Sequence, residues 1–216
     1  MVLFSIVGEL GAGKTLSLTF LTYKNWFFRR QKVYSNYHLY KIPYIYLEAV
    51  DQLTLMRDGI VAVDELWRIC DTLLSRSKMH KLTSDILGRS RKRKLNYIFT
   101  AQLLETIAPR VRKVIDFVSY PLMNRTETIC KIVIFRGSRA REGTYMKTVY
   151  FKTDVVKQMY DTDEEIDMEE KSSEPPKIIF QESKDAEPEY FNTWEEADKR
   201  AEEYWLKNQS LIKEIF

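Results

Sequence analysis

The residues best placed to do chemistry stand in the stretch "GELGAGKT", where Gly8, Gly13, Lys14 and Thr15 satisfy the spacing G-x-x-x-x-G-K-[ST]. Such a loop suits polyphosphate. Its glycines let the backbone curl until successive N–H groups converge on phosphate oxygens, and the following helix adds the positive end of its dipole. Lys14 is then expected to reach the β and γ phosphates and the Thr15 hydroxyl to ligate Mg²⁺. Gly8, Gly11, Ala12, Gly13, Lys14, Thr15 and Leu16 are the expected contacts of a nucleoside triphosphate. Asp64 and Glu65 close the apolar run "IVAVDE". An acid at the C-terminal end of a buried strand lies where open α/β sheets bind ligands, so Asp64 is expected to hold the metal. Glu65, next to it, can orient and deprotonate an attacking water. Paired acids at that place suit hydrolysis.

Two further groups join this set. The run "NYIFTAQ" brings Thr100 and Gln102 to the tip of the strand beside Asp64. An amide there can touch both the γ-phosphate and the hydrolytic water, and so sense whether the phosphate is still attached. Upstream, "GRSRKRK" (Gly88 to Lys94) holds five Arg or Lys, with Arg91 at its middle. An arginine in that segment could reach a neighbouring subunit's γ-phosphate while the other charges lie on DNA phosphates. A solvated helix end is the plainer reading. Arg110 and Arg112 compete with Arg91 for the role.

These groups need a scaffold. Short apolar runs alternate with helical stretches, which predicts an α/β domain with a mainly parallel sheet flanked by helices. "VLFSIV", "KVYSNY", "GIVAVDE", "LNYIFTA" and "FVSYP" are the expected strands, with a helix from Lys14 to about Arg30 and helical spacing in "LEAVDQLTLM". Ser84 to Arg93 reads as a basic helix. "TICKIVIF" and "YMKTVYF", separated by "RGSRAREG", predict an antiparallel hairpin at the sheet edge. Residues 1–160 are expected to form the nucleotide-binding domain. Residues 161–216 read as an acidic linker, "DTDEEIDMEEKSSEPP", followed by a helical tail with Trp194, Ala197, Ala201, Tyr204 and Trp205 on one face.

Charge is divided unevenly. Residues 1–150 carry 25 Lys and Arg against 12 Asp and Glu, whereas residues 151–216 carry 9 against 19. A basic body implies a polyanionic partner, with nucleic acid the first candidate. No run is long and apolar enough for a transmembrane segment, and two cysteines form no disulfide framework, so a cytoplasmic site of action is expected. Neither His38 nor His80 has neighbours at metal-ligand spacing. Tyr37, Tyr40, Tyr44 and Tyr46 could stack on bases, but half-buried packing is the commoner fate of such residues.

The order of parts, from phosphate loop through Asp64-Glu65 and the basic segment to Thr100-x-Gln102 and "IAPRVRKVID", resembles the FtsK–HerA superfamily of hexameric DNA-pumping ATPases. Two branches are similar: the genome-packaging ATPases of tailless membrane-containing and archaeal viruses, and the Zot-like assembly ATPases of filamentous phages. The resemblance covers roughly residues 1–121. It implies a P-loop NTPase of the RecA/ASCE type that takes ATP and Mg²⁺ and forms a ring, hexameric in that family. It also implies a DNA partner, double-stranded in the packaging branch, with a capsid or membrane protein as a further one. By the same resemblance Gly13, Lys14 and Thr15 bind triphosphate and metal, Asp64 holds the metal and Glu65 is the base. Gln102 is the sensor and Arg91 the finger acting in trans. Ala101 stands between Thr100 and Gln102, where the family often has Thr-Gln adjacent. A P-loop small-molecule kinase is the remaining alternative.

Overall fold

The computed structural model describes residues 2–66, 92–107, 109–137, 143–164, 166, 168–169 and 172–215. Six strands lie parallel: β1 (Leu3–Val7), β2 (Lys32–Ser35), β3 (Tyr44–Tyr46), β4 (Gly59–Val63), β5 (Leu95–Ala101) and β6 (Phe117–Met123). Their order across the sheet is β3-β2-β4-β5-β1-β6. One strand, β5, therefore separates β1, which carries the phosphate loop, from β4, which carries the acids. Every residue of β4 is buried, as a strand covered on both faces requires.

Antiparallel strands extend both edges. β7 (Ile129–Arg136) and β8 (Thr144–Lys152) continue from β6 as the expected edge hairpin. At the opposite edge β9 (Ile178–Phe180) pairs with β3, and β10 (Glu189–Phe191) pairs with β9. Three strands escaped the sequence reading, namely β3, β9 and β10. Each is three residues long, too short to show alternation. The helical spacing of "LEAVDQLTLM" gives only a 3₁₀ turn at Val50–Thr54. There the Gln52 side chain accepts from the backbone N–H of Glu48 at 2.9 Å and of Ala49 at 3.3 Å, which holds the chain in a capped single turn.

The core has two layers. Helix α1 (Lys14–Arg29) covers one face over Ile6, Ile60, Ala62, Ile98, Cys130 and Ile132, with Phe20 stacked on Phe151 at 4.2 Å. On the other face Leu3, Val7, Val61, Tyr97 and Phe99 pack with Ile107, Val111 and Ile115, around the short helix α2 (Pro109–Arg112). Tyr37 and Tyr44 are fully buried and Tyr40 nearly so, which settles them as packing residues.

After β8 come α3 (Thr153–Lys157), α4 (Trp194–Lys207) and α5 (Gln209–Ile215). Thr193 caps α4 by accepting from the Glu196 N–H, and Glu195 and Glu196 complement the helix dipole. The Trp194, Ala197, Ala201, Trp205 stripe is buried. It docks on the body: Trp26 Nε1 donates to Asp198 at 2.8 Å and Trp205 Nε1 to the Lys41 carbonyl at 2.7 Å. The segment read as linker and helical tail thus supplies α4, α5 and two strands of the main sheet.

Candidate nucleotide site

The loop after β1 has the backbone its glycines allow. Gly11 and Gly13 take φ of 74° and 86°, a region that suits glycine. A Cβ on Gly13 would lie 3.0 Å from the Met123 sulfur, so the loop also needs glycine there for space. Gly8 sits at the root of the loop, where an added Cβ would meet the Ala12 methyl at 3.1 Å. The first turn of α1 begins as the Ser17 N–H donates to the Gly13 carbonyl at 2.9 Å. Leu16 is buried behind the loop and Leu10 is exposed on its outer side.

Register aligns the rest. Val63 lies opposite Phe99 and Ile6 opposite Thr100, so the residues after β4 and near the end of β5 face the same cleft. Thr15 Oγ1 donates to Asp64 Oδ2 at 2.7 Å, and Thr100 Oγ1 donates to Asp64 Oδ1. Asn36, itself buried, clamps the same residue. Its Oδ1 accepts from the Asp64 N–H at 2.8 Å and its amide donates to the Asp64 carbonyl at 3.0 Å. Glu65 N–H donates to Thr100 Oγ1 at 2.8 Å, and Glu65 adopts a left-handed φ of 53°. Lys14 Nζ donates to the Glu9 carbonyl at 2.9 Å. Burial pushes the Lys14 ammonium below its ordinary pKa, against the opposing pull of Asp64 and Glu65. Burial raises the Asp64 carboxyl, against the hydrogen bonds from Thr100 and Thr15.

Gly11, Gly13, Lys14, Thr15, Asp64 and Glu65 line one cleft of about 270 Å³. These six expected residues thus meet at one place. The cleft also has a wall the sequence did not disclose. From Thr153 to Glu164 the chain crosses from the β6–β7 turn towards β2 and β3. Thr153 N–H donates to the Thr128 carbonyl at 3.0 Å, Tyr40 N–H to the Met159 carbonyl at 2.9 Å, and His38 N–H to Glu164 Oε2 at 2.7 Å. This strap brings Lys157 and Tyr160 into the cleft, with Lys157 Nζ 3.8 Å from Glu127. No sequence motif marks them.

Other expected residues stand elsewhere. Gln102 is half-buried just beyond β5 and does not line the cleft, whereas Thr100 touches Asp64 directly. Arg91 lies outside the described residues. Arg112 belongs to α2, on the sheet face opposite α1, and its Nε is buried with no partner among the described residues.

The donor set fits the implied metal and nucleotide. A hydroxyl and a carboxylate oxygen converge between Thr15 and Asp64, the all-oxygen arrangement that a hard dication takes. The glycine-rich turn at a helix N-terminus beside a lysine fits polyphosphate. No metal cluster of His, Cys, Asp and Glu occurs among the described residues.

Solved structures share this architecture. The N-terminal domain of zonular occludens toxin from Neisseria meningitidis superposes with a TM-score of 0.57 at 17% identity, over 74% of this chain and 100% of that one. The genome packaging NTPase of Sulfolobus turreted icosahedral virus 2, in complex with AMPPCP, gives a TM-score of 0.50 at 11% identity, over 68% of this chain and 98% of that one. The fold is that of a P-loop NTPase. At these identities the likeness speaks for the fold alone. No protein-family model matches the chain, and no curated protein matches its sequence.

Proposed function

We propose that the chain is a Mg²⁺-dependent ATPase that works as a ring and uses hydrolysis to move DNA, packaging a viral or mobile-element genome in the cytoplasm. The observation that carries the hydrolase reading is the cluster of Thr15, Asp64, Thr100 and Glu65 around one cleft beside the glycine-rich loop. Gly8 to Leu16 would cradle the triphosphate, and Lys14 would turn from the Glu9 carbonyl to phosphate. Thr15 and Asp64 would hold Mg²⁺, which when bound neutralises phosphate charge. Glu65 would orient the attacking water and take its proton. Gln102, which does not line the cleft in this structure, would have to turn into it from the end of β5 to sense phosphate, and Arg91 would be the finger supplied by the next subunit of a hexamer. Residues 1–160 form the catalytic unit. None of the described residues of 161–216 lines the cleft, and this segment would cover the body or dock a capsid or membrane protein.

A second reading is an assembly ATPase of the filamentous-phage type that drives extrusion through a membrane partner. The superposition on the whole zonular occludens toxin domain favours it. No helix among the described residues is long and apolar enough to cross a membrane, so a partner would supply that part. ATP hydrolysis by the purified protein with and without double-stranded DNA, at low and moderate salt, separates the two. Stimulation that fades with salt supports the packaging motor. Hydrolysis indifferent to DNA supports the assembly ATPase. Absence of hydrolysis under every condition overturns both.

A further inference from the structure

The antiparallel end of the sheet carries a surface that the nucleotide site does not use. Strands β6, β7 and β8 contain four cations, Lys131, Arg136, Lys147 and Lys152, and no acid. Backbone pairing decides which side chains share a face. Lys152 lies opposite Ile129, Tyr150 opposite Lys131, Thr148 opposite Val133 and Tyr145 opposite Phe135. Leu122 and Tyr120 of β6 continue this face, opposite Lys131 and Val133. The reverse face is packed on α1 through Cys130, Ile132 and Phe151.

The outward face is aromatic and open. Tyr145 and Tyr150 are 57% and 63% exposed, and Leu122 beside them is 53% exposed. Tyr120, Phe135 and Tyr145 form an edge-to-face ladder with centroids 6.0 and 6.2 Å apart, running from the covered centre of the sheet to its bare edge. Lys131 and Lys152 flank Tyr150 and make no ion pair among the described residues.

We propose that this face binds single-stranded nucleic acid. Exposed rings on a flat sheet offer stacking platforms to unpaired bases, and lysines between them meet the phosphates. No carboxylate on the three strands repels a polyanion. A duplex keeps its bases stacked inside, so it could use the lysines but not the rings. A protein surface without carboxylates would cover the rings but would leave the cations without a counter-charge. The inference names a surface that the ATPase reading lacks and a single strand where the test of that reading uses a duplex, and it stands without that reading, because stacking here needs no nucleotide.

The test is fluorescence anisotropy of the full chain with a labelled oligothymidylate of about 12 nucleotides, and with a duplex of equal length, in the absence of ATP. The single strand is expected to bind more tightly than the duplex. A Y145A/Y150A double variant should weaken that binding about 10-fold or more, while Y145F/Y150F, which keeps the rings, should not. A K131A/K152A variant should lower the slope of log affinity against log salt by about 1.4. Duplex bound as tightly as the single strand overturns the proposal, as does a folded Y145A/Y150A protein that binds like the parent. So does a parent that binds no oligonucleotide and instead loses self-association when the tyrosines are removed. Should the double alanine variant fail to fold, the phenylalanine and lysine variants decide. Lys14→Ala separates the two ideas, since it should lose hydrolysis and keep oligonucleotide binding. A parent that binds single strands but hydrolyses nothing overturns the ATPase reading alone.

Discussion

Glu65 is held in a left-handed backbone that costs a non-glycine residue on the order of 1 kcal/mol, and the Thr100 hydroxyl fixes its N–H. Strain of this kind persists where the surroundings over-determine a geometry, as at reacting centres. Glu65→Gln should keep ATP binding and lower turnover roughly 10²- to 10⁴-fold, read by nucleotide binding and phosphate release. Turnover near the parent rate would place the base elsewhere. Lys157 reaches the cleft from the strap and, among the described residues, is tied only by a long contact to an exposed Glu127. Lys157→Ala should raise the KM for ATP about tenfold, as loss of one charge-assisted contact implies, with the unfolding midpoint unchanged. Asp64 and Glu65 were legible because they end an apolar run. Asn36, which clamps Asp64, and Lys157 were not, because only folding brings them near.

The strap is the element whose behaviour pH should reveal. Glu164 accepts from the His38 N–H and contacts His38 Nδ1 at 2.6 Å, and this hydrogen bond raises the imidazole pKa above its ordinary value. A raised folded-state pKa means stability that is fully present below the unfolded value of about 6.5 and is lost as pH rises through the folded one. Unfolding midpoints of the parent should therefore fall across that window, and Glu164→Gln should flatten the fall. A parent whose midpoint is level there contradicts the pairing. Helix α4 presents a different case, since Trp205 is almost fully buried between Phe27 and the Lys41 carbonyl. Trp205→Ala should cost about 3–5 kcal/mol in denaturant unfolding. Of the parallel strands all but β3 were readable as short apolar-rich runs, β4 apolar throughout, and α4 was readable from its spaced apolar stripe. β9 and β10 exist only because β3 offers them an edge, which is a tertiary fact.

At the scale of the whole molecule, the acid-free strands β6–β8 lie at one edge of the sheet and β10, whose Glu189 is paired with Arg200, lies at the other. If Arg91 completes a neighbour's site, Arg91→Ala and Lys14→Ala proteins should each be inactive and recover some hydrolysis when mixed. Lack of recovery in a ring that demonstrably exchanges subunits would assign the finger to another arginine.

The Trp26 indole bonds to Asp198 across 172 residues of chain, and Arg30 beside it lies 4.5 Å from the Trp26 ring centroid and pairs with Glu202. A ribosome therefore makes α1 long before it makes the helix that covers α1. Until then the seam of Trp26 and Phe27 faces water, and β3 has an open edge. A translation product that stops short of α4 would present both to chaperones and proteases.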